Sequence, residues 1–202
     1  MTIKLVGSSS GSVSLQAPAS TSGGANRVLT LPDADGTVAV GNTGKILQVV
    51  QTTKTDVVST TLTDSVYEDI SGLSLSITPS ATSSKILISF NIFFATTAGN
   101  YNLRTRLMRD STAIGIGDQI GSNRARSTTH TWTNSASGDN YQQLHTSNMF
   151  LDSPNTTSSI TYKLQWQDSY AQTVYLNRTI NDNDTKYYST PLSQITAMEV
   201  AA

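Results

Sequence analysis

The side chains able to do chemistry are few. His130 and His145 are the only histidines, and the chain has no cysteine. His130 sits in the polar stretch STTHTWTN, read as a loop or exposed strand, and His145 lies among Leu144, Thr146 and Ser147. Neither has the partner one helical turn away, or the neighbouring carboxylate motif, that a zinc site needs, so both read as surface or satisfied strand histidines. Lack of cysteine removes disulfides, thiol catalysis and Cys-based zinc. Gly115, Gly117 and Gly121 in AIGIGDQIG approach the glycine pattern of a phosphate-cradling loop. The spacing is wrong, however, and no β–α–β unit surrounds it, so a strand with close packing or a bulge is expected. NDNDT at 181–185 offers Asp182 and Asp184 to calcium but lacks the glycine and distal glutamate of an EF-hand; a polar turn is expected. No nucleophile, base and orienting group can be assembled, and the expectation is a protein without catalytic residues, cofactor or metal.

Binding chemistry remains. Arg104 and Arg106 share one strand face by period two, and so do Arg124 and Arg126. If those strands pair, their guanidinium groups form a basic patch able to clamp phosphate, sulfate or a sugar carboxylate. The alternative, which we favour, is that they meet Asp110, Asp118 or Asp152 at a subunit boundary. Tyr101, Trp132, Tyr141, Trp166 and Tyr170 could stack on sugars. Trp132, in a Thr- and Asn-rich setting, is expected exposed, and Trp166, on an alternating strand, is expected in the core. Asn155, Asn177 and Asn183 fit the glycosylation pattern, which arises easily in a chain so rich in Asn and Thr.

The elements that must position these groups are strands. The chain has 202 residues, 37% hydrophobic and only 13% charged, so its polar surface is mostly neutral Ser, Thr, Asn and Gln. That composition favours strands and turns. A net charge of −1 argues against a nucleic-acid partner. No apolar run reaches the length of a membrane span or of a signal peptide, so no membrane partner is expected.

Texture divides the chain into residues 1–44 and 45–202. The first part is rich in Gly, Ser and Ala, with short strands expected at Ser12–Gln16, Arg27–Leu31 and Thr37–Val40. PDADG makes a turn between the last two, and GNTG a linker. In the second part SKILISFNIFF places Ile86, Ile88, Phe90, Ile92 and Phe94 on one face. Leu73, Leu75 and Ile77 alternate with polar residues, as do Leu103, Thr105 and Leu107 with Arg104, Arg106 and Met108, and Tyr162, Leu164 and Trp166 with Lys163, Gln165 and Gln167. Further strands are expected near Ile46–Lys54, Gln142–Leu151, Thr173–Thr179 and Leu192–Val200. With no helical periodicity, the fold class is all-β, an antiparallel sandwich preceded by a hairpin-rich arm. The second part is long enough for its own core; the first is not.

GSVSLQAPASTSGGANRVLTLPDADGTVAV resembles a segment recurring in structural proteins of tailed bacteriophages. SITPSATSSKILISF, LMRDSTAIGIGD, FLDSPNTTSSITYKLQW, YLNRTINDND and ITAMEV are similar, in that order, to marine-phage virion proteins. The resemblance implies a jelly-roll knob similar to C1q-like tips, assembling as a homotrimer at the virion surface after synthesis in the host cytoplasm. It implies an arm that docks on capsid or tail proteins, through Leu15, Pro18, Leu29, Leu31, Pro32 and Val38. Without the repeated stalk of long fibres, a capsid decoration, cement or short head-spike role is expected. The alternative is a tail-fibre or receptor-binding tip recognising host surface glycan.

Overall fold

The computed structural model describes residues 2–6, 12–16, 45–97, 101–133 and 141–201. The chain divides into two compact units, Met1–Val40 and Gly41–Ala202. In the first, β1 (Thr2–Val6) and β2 (Ser12–Gln16) form an antiparallel ribbon with Thr2 opposite Gln16 and Val6 opposite Ser12. β2 has the bounds expected from sequence, while β1 was not anticipated. Leu15 lies on β2 opposite Ile3. Pro18, Leu29, Leu31, Pro32 and Val38, the strands expected at 27–31 and 37–40, and the 41–44 linker lie outside the described residues.

The second unit contains β3 (Ile46–Lys54), β4 (Val58–Thr61), β5 (Glu68–Ile77), β6 (Lys85–Thr96), β7 (Tyr101–Arg109), β8 (Thr112–Ile114), β9 (Thr129–Thr133), β10 (Leu144–Asp152), β11 (Ile160–Asp168), β12 (Thr173–Leu176) and β13 (Ser193–Val200). All pairings are antiparallel. One sheet centres on β6. β10 runs along one side of it from Ile86 to Phe94; on the other side β13 pairs Lys85 to Asn91, and β12 pairs Phe94 to Thr96. β12 and β13 are therefore two halves of one strand, and β3 and β4, which flank them, are halves of another. In the second sheet β7 carries β11 on one side and both β8 and β9 on the other. Counting each pair of halves once gives eight strands, in spatial orders 1-8-3-6 and 2-7-4-5. That is the jelly roll, two Greek keys folded face to face.

Alternation builds the core. Along β6, Ile86, Ile88, Phe90, Ile92 and Phe94 are buried while Leu87, Ser89, Asn91 and Phe93 are half-exposed. They meet Leu73, Leu75 and Ile77 of β5, Leu103 and Leu107 of β7, and Tyr162, Leu164 and Trp166 of β11. Removing this much apolar surface from water is the dominant stabilising term. Polar ties join the sheets at their rims. Asp152 of β10 is buried, accepting from Arg109 Nη1 of β7 at 2.9 Å and from Tyr162 Oη of β11 at 2.6 Å. Glu199, only 1% exposed, lies under the turn after β5 and accepts from Ser80 N, Ser80 Oγ and Gln48 Nε2 at 2.7, 2.6 and 2.6 Å.

Two of the three split strands are sealed by a hydroxyl where the chain leaves and returns. Residues 177–192 emerge between β12 and β13. At their base Ser193 Oγ accepts from Phe93 N at 3.0 Å and donates to Asn177 Oδ1 at 2.6 Å. Asn177 Nδ2 then donates to the Lys54 and Asp56 carbonyls at 2.8 and 3.0 Å, at the break between β3 and β4. Asn177 and Ser193 are both fully buried, and Asn177 takes a left-handed φ of 58°. Residues 115–128 likewise emerge between β8 and β9. Thr128 Oγ1 accepts from Leu107 N at 2.9 Å, and Thr128 N donates to Thr105 O at 2.8 Å. Each hydroxyl satisfies a backbone N–H that the interrupted ladder would leave without a partner.

Candidate ligand-binding face

The outward faces of the two sheets differ in chemistry. On the second sheet, cross-strand register lines up His130, Arg104 and Gln167 in one row and Trp132 and Asn102 in the next. Successive same-face rows lie about 7 Å apart. Trp132 is 56% exposed there, whereas Trp166 is buried in the core. The excursion at 115–128 rises over the same face, so Gln167 points outward yet is only 5% exposed. Under this excursion a groove of about 390 Å³ is lined by Arg104, Asn123, Arg124, Ala125, Ser127 and His130. It adjoins a second hollow of about 260 Å³, reaching Ser65, Ser122, Gln167 and Ser169.

Arg104 is held in place by neutral groups. Its Nη1 donates to Ser169 Oγ at 2.9 Å and more weakly to Gln167 Oε1 at 3.4 Å, and Ser169 Oγ donates on to Asn102 Oδ1 at 2.7 Å. Among the described residues the ion pairs join Lys54 with Asp56, Arg109 with Asp152, Lys163 with Asp69 and Arg178 with Asp182, so neither Arg104 nor Arg124 has a carboxylate partner. Burial, and next the charge of Arg104, push the His130 imidazole below its usual pKa, so at neutral pH it is an uncharged donor and acceptor. Burial also raises the carboxyl of Asp168, just beneath, against the opposing pull of the Tyr170 and Ser169 backbone N–H groups and of Arg104.

Arg106 and Arg126 are occupied otherwise. Arg106 lies 3.9 Å over the Tyr67 ring and donates from Nε to Gln165 Oε1 at 2.7 Å. Arg126 Nε donates to Gly117 O at 2.6 Å, while Arg126 O accepts from Tyr67 Oη at 2.8 Å. The segment carrying Arg124 and Arg126 is not a strand, contrary to expectation. Its alternation has no apolar face to bury, and the chain has left the sheet edge at Gly115. Arg104, Arg124 and Trp132 nevertheless come to one face. Within the chain Asp152 pairs with Arg109, and Asp110 Oδ1 accepts from Thr161 N at 2.9 Å. Glycine spacing also misled in part, since the strand stops at Ile114. Gly115 adopts φ +58° against the Phe150 ring, which is close packing at a turn.

Other candidates separate. His145, on β10, packs against Phe93 with the rings tilted by 35° and their centroids 4.6 Å apart. Asp182 pairs with Arg178 at 3.3 Å, and among the described residues no cluster of three or more His, Asp or Glu is placed to hold a metal. Tyr141 stacks on Tyr188, centroids 5.4 Å apart, and Tyr170 is exposed beyond β11. Asn177 is buried and fits no glycosylation role. Sequence reasoning missed Asn102, Gln167 and Ser169; their only signal was their place on alternating or turn-proximal positions beside Arg104. No helix among the described residues is long and apolar enough to cross a membrane.

The outward face of the first sheet carries an apolar row among neutral polar residues. Register sets Val49, Met198, Leu87 and Leu151 in one row across four strands, with Met149 in the next. Val49, Met149 and Leu151 are 57, 62 and 49% exposed.

No family model and no curated protein matches the chain. Among solved structures it is similar to that of infectious bursal disease virus, Gx strain, at 14% identity and a TM-score of 0.41, covering 96% of this chain and 44% of that one. The VP2 subviral particle of the same virus gives 13% identity and 0.39, covering 87% and 43%. A T=1 particle derived from it gives 12% and 0.41, covering 98% and 44%. The chain thus spans less than half the length of these structures.

Proposed function

We propose that the chain is a non-enzymatic protein of a tailed-phage virion surface: a homotrimeric capsid decoration, cement or short head-spike protein attached through residues 1–44. The observation that carries this is the apolar row on the first sheet. Covering Val49, Leu87, Met149, Leu151 and Met198 contributes on the order of 1–2 kcal/mol per side chain. A second copy of the chain offers the same apolar row, in which no residue is charged, so no charge within the row is stranded on contact. The hairpin of the first unit, too small to be stable alone, suits an arm that folds onto a partner. The resemblance of that segment to phage attachment regions supports the same reading. Trimerisation would multiply weak arm contacts through effective concentration.

The test joins two measurements on purified particles and free protein. Many copies spread over the head, lost on deletion of residues 1–40, are expected. So is a trimer by light scattering that dissociates when Met149 and Leu151 become lysine. A monomer at high concentration, or a few copies at the tail, defeats the decoration reading. The second reading, a tail tip recognising host glycan, is favoured by exposed Trp132 on the polar face.

A further inference from the structure

We infer that the groove beneath the 115–128 excursion binds an anionic saccharide, with Arg104 and Arg124 on its carboxylate or sulfate group and Trp132 as the platform for the sugar ring. The inference names the ligand class for the glycan-recognition reading and rests on it.

Three observations converge on that chemistry. The groove of about 390 Å³ is of monosaccharide-accepting size and is lined by two guanidinium groups, one amide, one hydroxyl and an imidazole. No carboxylate lines it, and neither guanidinium is neutralised by an ion pair among the described residues. An uncompensated cation pair set in a concavity selects an anion, and guanidinium geometry suits a planar carboxylate or a sulfate edge. Arg104 is also preorganised, because Ser169, Gln167 and Asn102 fix it through neutral acceptors that leave its charge available.

A bare anion would not need what lies beside the groove. Trp132 shares the outward face of β9 with His130 and is 56% exposed, an apolar plate set about 7 Å from the charge row. Aromatic plates stack on the C–H faces of sugars, while Asn102, Asn123 and Ser127 suit hydroxyls. A protein partner's aspartate could also meet the arginines, as at a copy–copy contact, but it would leave the indole without a role. Nucleic acid is disfavoured by the net charge of −1 and by the confinement of the arginines to one groove.

The experiment is calorimetric and NMR titration of the full chain with a glucuronic-acid-containing oligosaccharide, its carboxyl-reduced neutral counterpart, and inorganic sulfate alone. The acidic oligosaccharide is expected to bind about tenfold or more tightly than the neutral one, with sulfate weaker than both. Arg124→Gln should remove most of that preference without a folding penalty, because its exposed guanidinium makes no hydrogen bond or ion pair among the described residues. Trp132→Ala should weaken both saccharides alike. Equal binding of the acidic and neutral sugars would overturn the anionic inference while leaving glycan recognition standing. Binding of neither sugar would remove both. Sulfate binding as tightly as the oligosaccharide, or loss of the oligomer in Arg124→Gln, would also overturn it, reassigning the arginines to a bare anion or to a copy–copy contact.

Discussion

Replacing Ser193 by alanine should open the base of the 177–192 excursion. The hydroxyl is fully buried, accepts the Phe93 N–H at 3.0 Å and donates to Asn177 Oδ1 at 2.6 Å. Its loss leaves a backbone donor and an amide oxygen without partners where water does not reach. At about 1–3 kcal/mol per orphaned group, partly relieved by local relaxation, the expected cost is about 2–4 kcal/mol. That is a large fraction of the stability of a domain this size. Asn177 divides the effect further. Asn177→Gly loses the bonds to the Lys54 and Asp56 carbonyls but accepts φ 58°; Asn177→Ala loses the same bonds and adds about 1–2 kcal/mol for a Cβ in the left-handed region. Urea unfolding at one fixed protein concentration gives these differences, and amide exchange at Phe93 reports the local opening. Ser189→Ala, exposed within the same excursion, is the control and should change nothing. A Ser193→Ala variant within about 0.5 kcal/mol of the parent, with the Phe93 amide still protected, would refute the reasoning, because the seal would then carry no stability.

Three other outcomes follow from the rims and turns. Tyr162→Phe removes the 2.6 Å bond to Asp152 and should cost about 1.5–3 kcal/mol by urea unfolding, the range for a hydrogen bond to a charged group. Burial pushes the Glu199 carboxyl up, but bonds from Ser80, Gln48 and Ser84 prevail and hold it at about 2, against 4.5 in the unfolded chain. A depressed folded value means the stabilisation is complete above pH 4.5 and is lost as pH falls from there toward 2. The shift corresponds to a contribution on the order of 3 kcal/mol, and Glu199→Gln should flatten the acid limb of a stability–pH curve. Gly115→Ala puts a Cβ 3.0 Å from the Phe150 ring at φ +58° and should lower stability by about 2–4 kcal/mol, measured by the same unfolding curve.

The sandwich was legible because its central strands alternate cleanly. β6, whose buried face runs Ile86, Ile88, Phe90, Ile92 and Phe94, announced both its period and its buried side, and β3 could be bounded from the run ILQVVQTTK between turn residues. β8 and β9 were less visible. They are short edge pieces whose apolar content is slight, and what makes them strands is the ladder offered by β7. That tertiary source of order also explains the error at Arg124 and Arg126, where alternation existed without a neighbour to pair with. The candidate site was half readable. Residue type marked Arg104, Arg124 and Trp132, but their convergence depends on a chain excursion whose course no local pattern encodes. The neutral groups that fix Arg104 were invisible for the same reason, since serine, asparagine and glutamine occur throughout this sequence.

The way the strands are interrupted has a consequence for variation. Leu176 pairs with Phe94 and Gln194 with Asn91, so the broken strand resumes in step on its neighbour whatever lies between. The sheet has no means of counting the residues extruded, and loop-closure entropy grows only as the logarithm of their number. Segments 178–192 and 116–127 can therefore differ in length and composition between lineages, or be exchanged wholesale, provided the sealing hydroxyls of Ser193 and Thr128 are kept. A particle built on this plan could alter what it displays to its surroundings without relearning how to fold.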